Sequence, residues 1–149
     1  MKDEAAFSLE EFLPYRLVQT AEAVSLEFYR FYRKEYGLTR PEWRVLAHLG
    51  QYGAQTARDI CDQARLHKTK VSRAVASLEQ RGWLKRKEEE ADRRFELLEL
   101  TKEGRKAYNA IGAQAARHNA MLLGRVTNDD ARRLVLILDK LDPDAPKAK

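Results

Sequence analysis

The segment from Thr56 to Thr101 constrains the fold of this chain more than any other. It begins with a short helical run, TARDICDQA, in which Thr56 and Asp59 have the spacing of a helix-capping pair. A second helical run, HKTKVSRAVASLEQRG, follows after two residues. Two strand-like runs, WLKRK and FELLELT, then flank the charged tip EEEADRR. This order predicts two helices joined by a tight turn and followed by a β-hairpin.

The basic charge of the chain is concentrated in the same segment. Between Arg65 and Arg94 there are ten Lys or Arg residues and five Asp or Glu residues. The whole chain carries 28 and 23 of these residues, so the excess of +5 lies entirely in that stretch. A local excess of cations beside a helix-turn-helix predicts a polyanionic partner, and double-stranded DNA fits this architecture best.

Length and composition are typical of a mainly helical globular protein. The 149 residues suffice for one domain or two small fused lobes, and 44% of them are hydrophobic. The acidic start MKDEAAFSLEEF is not typical of a signal peptide, and no apolar run approaches the roughly 20 residues that span a bilayer. The single cysteine, Cys61, excludes an internal disulfide, and its place beside Ile60 favours a structural thiol over a reactive one. We therefore expect a cytoplasmic protein.

Capping patterns and apolar periodicity predict helices on both sides of the Thr56–Thr101 segment. Ser8 begins a capping-box pattern for a first helix, in which Pro14 either introduces a kink or marks the true start. Thr39 opens a second helix that we expect to end near Gly50. Beyond the hairpin, a long helix with a small-residue apolar face is followed by a last helix capped by Thr127.

The predicted fold is mainly α with a small β-hairpin wing, that is, a winged helix-turn-helix with N- and C-terminal dimerisation helices. We predict a single unit over residues 1–149, with the winged helix-turn-helix DNA-binding lobe at 38–104. Dimerisation helices are predicted at 8–36 and 105–141, because their apolar stripes exceed what a small lobe covers. The alternative is that these helices close a monomeric bundle.

The second helix of the helix-turn-helix divides into an apolar and a polar face. Its apolar residues share one side, which predicts that they are buried: Val71, Ala74, Val75 and Leu78. Hydroxyl groups on the other side allow close approach to a major groove, where Arg or Lys bonds guanine O6 and N7. An ordinary solvated helix face is the alternative. The residues predicted to contact DNA are Lys68, Thr69, Lys70, Ser72 and Arg73.

Two arginines at the tip of the hairpin, Arg93 and Arg94, are further predicted DNA contacts. An arginine at this place can enter a narrow minor groove, where the negative potential is strongest. Asp92 does not favour phosphate, so we expect it to orient a neighbouring arginine through a charge-assisted hydrogen bond. The alternative for the tip is a solvated loop whose charges neutralise one another.

The runs WRVLAHL, KTKVSRAVASLEQRGWLKR and DRRFELLELTKEG resemble the multiple-antibiotic-resistance regulator (MarR) family of bacterial transcription factors. The resemblance covers residues 38–104 and implies a homodimer that binds a palindromic operator and usually represses. It implies that Arg94 contacts the minor groove with support from Asp92, and that Ser72 and Arg73 lie on the recognition helix. His67 stands where the family often has Asp, which leaves the cap of that helix open. The most specific match is the pattern of Asp92, Arg94, Leu100, Thr101 and Gly104.

The resemblance also implies a pocket between the dimer helices and the DNA-binding lobe, where a small aromatic acid or phenolic compound acts as effector. Arg44 and His48 share a helix face beside Trp43, and an arginine with an aromatic neighbour suits a planar carboxylate. Tyr15 and Arg16 are candidates from the first helix. The alternative is that Trp43 is core, Arg44 forms a salt bridge and His48 is a satisfied helix residue.

Patterns of catalysis or metal binding are not found in the sequence. The three histidines lack metal-ligand spacing, and there is no HExxH motif, cysteine pair or Gly-rich phosphate loop. We predict a regulator with no cofactor, metal or membrane partner, rather than an enzyme. Its main rival is a winged-helix module whose basic face binds an acidic protein. RNA binding is weaker, because the hairpin lacks aromatic residues placed for stacking.

Overall fold

The computed structural model describes residues 6–88 and 96–145, which fall into two compact units divided along the chain between Ile111 and Gly112. Within these residues the mainly α fold with a β-hairpin wing is confirmed. No helix in them is both long and apolar enough to cross a membrane. The helices and strands are α1 Leu13–Tyr36, α2 Arg40–Tyr52, α3 Ala57–Ala64, α4 Lys68–Gln80, β1 Leu84–Glu88, β2 Glu96–Leu100, α5 Lys102–Leu123 and α6 Asn128–Leu141.

One apolar core joins α2, α3, α4 and the hairpin. On α4, Val71, Val75 and Leu78 recur at helical spacing, and each is at most 2% exposed, as the periodicity predicted. A fully buried side chain of this kind contributes about 1.5–3 kcal/mol, so the core holds α4 firmly on the lobe. The α4 residues pack in one cluster with Leu38, Val45, Leu46, Leu49, Ile60, Leu84, Leu98 and Ile111.

The wing is attached to the lobe at its base. β1 and β2 pair antiparallel, with Leu84 opposite Leu100. Gln55, in the loop between α2 and α3, adds a short bridge to β2: its N–H donates to Leu98 O at 3.0 Å, and the Leu98 N–H donates to Gln55 O at 2.7 Å. A single bridging residue has no periodicity, so the sequence did not indicate this third segment.

Side-chain caps fix the starts of α2, α3, α4 and α6, and Thr101 caps α5 in the same way. The hydroxyls of Thr39, Thr56 and Thr127 each accept the backbone N–H three residues ahead, which confirms the predicted threonine caps. His67 caps α4, because its Nδ1 accepts the N–H of Thr69 at 3.1 Å. Each cap satisfies a backbone donor that the helix leaves unpaired and contributes about 1 kcal/mol.

The predicted start of the first helix is wrong. Ser8 does not cap α1, which begins at Leu13 after Phe12 and has no side-chain cap. Pro14 lies in the first turn, where its missing N–H leaves no helical hydrogen bond unmade. Of the two roles open to Pro14, the structure therefore shows the start of the helix.

The predicted end of the second helix is also wrong. α2 passes through Gly50 and continues to Tyr52, with Gly53 after its end. A Cβ atom at Gly50 would overlap the ring of Tyr108 on α5. Arg105 also donates to Gly50 O at 2.8 Å. Glycine is used here for close packing rather than for stopping the helix.

Thr101 and Gly104 form a tight corner between the wing and α5. Thr101 Oγ1 donates to Gly82 O at 2.6 Å and accepts the N–H of Gly104 at 3.0 Å. A Cβ atom at Gly104 would overlap the carbonyl oxygen of Trp83. The corner therefore has no room for any residue larger than glycine.

Large apolar side chains remain exposed on the first half of α1 and on α6. Val18 on α1 is 65% exposed, whereas Tyr32, near the end of the same helix, is 4% exposed. No residue of α6 is buried. Contiguous exposed apolar faces of this kind mark interaction surfaces. On α6 the exposed residues are Leu134, Val135, Leu136, Ile137, Leu138 and Leu141.

Candidate nucleic-acid interface

The exposed face of α4 brings together the five helix residues predicted to contact DNA. Its opposite face is buried, which directs the polar face to solvent and fixes it there. The exposed residues belong to the first two turns, the part of a recognition helix that meets base edges in helix-turn-helix proteins. They are Lys68, Thr69, Lys70, Ser72 and Arg73.

The charge at the start of α4 opposes the helix dipole. Lys68 and Lys70 lie in the first turn, which contains no acidic residue. Cations are disfavoured at the positive end of a helix by about 0.3–1 kcal/mol each. An anion bound at this place would remove that cost and would also meet the free N–H groups of the helix start. The arrangement therefore favours a polyanionic partner.

The turn between α3 and α4 sets the angle at which α4 is presented. Arg65 ends α3 with a φ of 53°, the left-handed conformation that closes a short turn. The N–H of Leu66 then donates to Cys61 O at 3.2 Å. Cys61 itself is partly buried against the core, as expected for a structural thiol.

Arg86 connects the wing to α4. Its guanidinium pairs with Glu96 on β2 at 3.0 Å and with Glu79 on α4 at 3.1 Å. The hydrogen bond to Glu96, followed by the charge of Glu79, raises the pKa of Arg86. Because two carboxylates neutralise this arginine, we assign the cationic surface to the start of α4 rather than to the stem of the wing.

The predicted residues at the wing tip, Asp92, Arg93 and Arg94, lie outside the described residues, so their roles stay predictions. The stem below them is described. Within it, Lys85 on β1 pairs with Glu99 on β2 at 3.3 Å.

A cavity of about 400 Å³ lies between α1 and α2. This volume is within the range of about 300–1,000 Å³ that is usual for small-molecule sites. Aromatic and apolar side chains form much of the wall, and two arginines and one glutamate supply its charges. The lining residues are Val18, Ala21, Glu22, Ser25, Phe28, Tyr32, Arg40, Trp43 and Arg44.

The charged groups of the cavity already have internal partners. Arg40 Nη1 lies 2.8 Å from each carboxylate oxygen of Glu22, and its guanidinium lies 5.2 Å from the centre of the Tyr29 ring. Arg44 Nη1 donates to Ala64 O at 3.4 Å. Two guanidinium groups and one carboxylate leave the lining with an excess positive charge.

The aromatic part of the wall is a three-ring cluster. The ring centre of Phe28 lies 5.4 Å from that of Tyr32 and 5.7 Å from that of Trp43. Tyr32 and Trp43 are 5.8 Å apart. Burial raises the pKa of Tyr32 to about 12, because the charged phenolate is disfavoured away from water. The wall therefore offers flat apolar surface beside cations.

Of the five residues predicted for the ligand site, Trp43 and Arg44 line this cavity. Tyr15, Arg16 and His48 are not among its lining residues. Whether any of them contacts an effector stays a prediction.

His48 has partners within its own helix. Its Nδ1 lies 2.8 Å from Arg44 O, and its ring lies 5.8 Å from that of Tyr52. Sequence reasoning missed Arg40 and Glu22, because the two partners are 18 residues apart and belong to different helices. The spacing of residues along one helix does not reveal such a pair.

Known proteins are similar to this chain in sequence and in architecture. The family model described as MarR family matches residues 36–94. The uncharacterized HTH-type transcriptional regulator YwoH of Bacillus subtilis (strain 168) is 32% identical over 95 residues, which cover 64% of this chain and 69% of the relative. The chain belongs to the MarR family. The resemblance noted in the sequence is thereby confirmed.

Solved structures agree with the assignment. The MarR family transcriptional regulator SPO1453 from Silicibacter pomeroyi DSS-3 is 31% identical with a TM-score of 0.77, over 91% of this chain and 99% of that one. BpsR of Bordetella bronchiseptica, whose DNA binding is regulated by 6-hydroxynicotinic acid, has a TM-score of 0.81 at 22% identity, over 94% of this chain and 99% of that one. At 22% identity, the likeness to BpsR shows the fold alone. YwoH and SPO1453 are both described as transcriptional regulators.

Proposed function

We propose that this MarR-family protein is a cytoplasmic homodimeric repressor that binds a palindromic DNA operator. A small aromatic acid or phenolic effector releases it from the operator. The observation that carries the proposal is the polar face of α4, which is exposed, cationic at its start and held by a buried opposite face. A surface with this shape and charge suits the major groove.

The residues of α4 take different roles in the proposed complex. Arg73 bonds a guanine edge through O6 and N7, and Ser72 and Thr69 bond bases or phosphates. Lys68 and Lys70 neutralise phosphates, which positions the helix without selecting a sequence. From the sequence pattern, Arg93 and Arg94 of the wing reach the flanking minor groove, with Asp92 orienting an arginine.

The exposed apolar faces of α6 and of the first half of α1 support the homodimer. Burying such faces against a second copy removes them from water, and a two-fold axis repeats the recognition helix on the other side. In a dimer of this kind the two helices meet major grooves about 34–36 Å apart, one turn of DNA.

The cavity between α1 and α2 supports the proposal that a small molecule releases the protein from DNA. Its aromatic wall suits a ring, and Arg44, which bonds a backbone carbonyl rather than a carboxylate, suits an effector carboxylate. BpsR, which shares the fold, responds to an aromatic acid of this chemical kind.

Selection from random duplexes tests the DNA-binding part. We expect a palindrome of about two helical turns to be recovered. Arg73→Ala should then weaken operator binding by about 5- to 100-fold and relax the preference at one base pair of each half-site. Arg94→Ala should weaken it as well, and Arg30→Ala, on the exposed side of α1, is the matched control. Recovery of no preferred duplex would favour the rival protein-interaction module, and equal binding by parent, Arg73→Ala and Arg94→Ala would refute the contacts.

The effector part is tested with benzoate, phenol and neutral benzamide as probes. If Arg44 holds a carboxylate, benzoate should release operator DNA from the parent and fail to do so with Arg44→Ala, whose DNA binding remains intact. Arg33→Ala, an exposed arginine of α1 that does not line the cavity, is the control with the same loss of charge. Release by none of the probes, or an unchanged response in Arg44→Ala, would count against this site.

A further inference from the structure

The C-terminal end of α1 is tied to the end of α4 by Arg81. This residue directly follows α4, and its Nη1 donates to Tyr36 O at 2.7 Å while its Nη2 donates to Gly37 O at 3.1 Å. Both acceptors are carbonyls at the end of α1, where helix geometry leaves such groups unpaired and the dipole is negative. A cation therefore fits this place both in geometry and in charge.

The same guanidinium meets two further elements. Its Nη2 lies 3.7 Å from Oε2 of Glu42, a carboxylate on α2 whose side chain is only 11% exposed. The guanidinium centre also lies 5.2 Å from the ring of Trp83, which directly precedes β1. One planar group thus contacts the end of α1, α2 and the start of the wing, and a lysine ammonium does not reproduce this fork of donors.

We propose that Arg81 is a positioning residue for operator recognition, one that fixes the angle between α1 and the recognition helix α4. The proposal rests on the proposed function. The first half of α1 carries an exposed apolar face that belongs to the proposed dimer interface, whereas α4 carries the DNA-contacting face. The angle between the two helices then determines how far apart, and in what rotation, the paired recognition helices stand.

A direct phosphate contact is the competing role for an arginine in a DNA-binding lobe. The contacts of Arg81 oppose it, because its donors are directed at two backbone carbonyls and at Glu42. The two roles differ in what a substitution changes. A phosphate contact contributes to the salt dependence of binding, whereas a positioning residue contributes to the choice of half-site spacing.

The experiment measures binding to the selected palindrome and to versions with one base pair inserted or removed at its centre. One base pair changes the half-site separation by about 3.4 Å and the rotation by about 35°. The parent should strongly prefer its own spacing. Arg81→Lys, which keeps the charge and loses the fork, should bind that spacing about tenfold more weakly, the size of a lost charged hydrogen bond, with little change on the altered spacings.

Two further variants separate the alternatives. Arg81→Gln should leave the salt slope of binding unchanged, and Arg30→Gln on the exposed side of α1 is the control with the same loss of charge. Glu42→Gln removes only the carboxylate facing the guanidinium, so it should reduce the spacing preference about threefold. This variant provides the test if the Arg81 variants do not fold.

Three results overturn the proposal for Arg81. One is a uniform loss of affinity at all spacings in Arg81→Lys. Another is a salt slope lowered by about one in Arg81→Gln, which would identify a phosphate contact. The third is an unchanged spacing preference in whichever of Arg81→Lys and Glu42→Gln folds. If the parent itself prefers no palindrome, the proposed function fails and this proposal fails with it. If the parent has a spacing preference and the variants keep it, only the proposed role of Arg81 is refuted.

Discussion

The helices α4 and α6 have nearly the same length and both are amphipathic, but their apolar faces end in opposite environments. On α4, of 13 residues, the apolar face is at most 3% exposed. On α6, of 14 residues, the large apolar side chains are 44–60% exposed. The periodicity of a helix therefore predicts which residues share a face, but not whether the same chain covers that face. The lobe around α4 is complete in one chain, and α6 presents a surface that a second molecule can complete.

The same contrast occurs within α1. Its second half contributes Tyr32, which is 4% exposed, to the core of the lobe, and its first half carries Val18, which is 65% exposed. One continuous helix thus contributes to both the buried core and the exposed apolar face. Substitutions in the lobe and on the uncovered face test whether this division holds.

The largest effect is expected for Ile137→Glu on α6. A carboxylate on an apolar face that pairs with a second copy is left without water or a partner, which costs several kcal/mol. Operator affinity should fall by at least about 100-fold, while the melting temperature of the lobe around α4 stays unchanged. Analytical ultracentrifugation and gel shift measure the two effects. Arg133→Glu, on the same helix, is the control, and an Ile137→Glu protein that still sediments like the parent would break the comparison.

Next in size is Leu78→Ala on α4. Leu78 is fully buried, so truncation leaves a cavity and should lower the free energy of unfolding by about 3 kcal/mol. Urea denaturation of this variant and of Gln80→Ala, an exposed neighbour, provides the measurement. A loss below about 1 kcal/mol for Leu78→Ala would mean that the lobe is not closed as tightly as its burial indicates.

A pH-dependent effect is expected for Tyr32 in the second half of α1. Burial raises its pKa to about 12 in the folded chain, above the usual value of about 10 in the unfolded chain. The folded state holds the proton more tightly, so stability is unaffected below pH 10 and falls as the pH rises from about 10 to about 12, by up to about 2 kcal/mol. Tyr32→Phe should lose less stability over this range than the parent. Identical alkaline unfolding curves would contradict the assignment of this half of α1 to the core.

The smallest effect is expected at the start of α4. His67→Ala removes the Nδ1 acceptor of the Thr69 N–H and should lower the free energy of unfolding by about 1 kcal/mol. His67→Asn restores a side-chain acceptor and should recover most of that loss. Thermal denaturation of the three proteins is the measurement, and equal stability of the Ala and Asn variants would exclude a capping role.

Local patterns predicted the parts of the fold that depend on neighbours in the sequence. The threonine caps and the buried face of α4 follow from residues three or four positions apart, and the structure has them. The Ser8 prediction failed because a capping pattern does not guarantee a helix, and α1 begins at Leu13 with Pro14 in its first turn. Gly50 failed because the ring it accommodates comes from Tyr108, 58 positions along the chain.

The candidate sites show the same difference between contacts that are close in the sequence and contacts that are distant. The α4 face was predictable because all its residues lie within one helix. The cavity was predicted only in part: Trp43 and Arg44 are neighbours on α2, whereas the pairing of Arg40 with Glu22 joins two helices. Arg81 carried no local pattern, and its role depends on carbonyls 44 and 45 residues away.

The corner at Gly104 has a consequence for anyone who sets out to alter this regulator by random mutagenesis. Since a single methyl group there would collide with the Trp83 carbonyl, every codon change that replaces this glycine should score as loss of function, whatever target sequence is screened. Libraries aimed at new specificity gain nothing by sampling it. The productive diversity lies on the open side of α4, where side chains end in solvent and substitution leaves the scaffold intact.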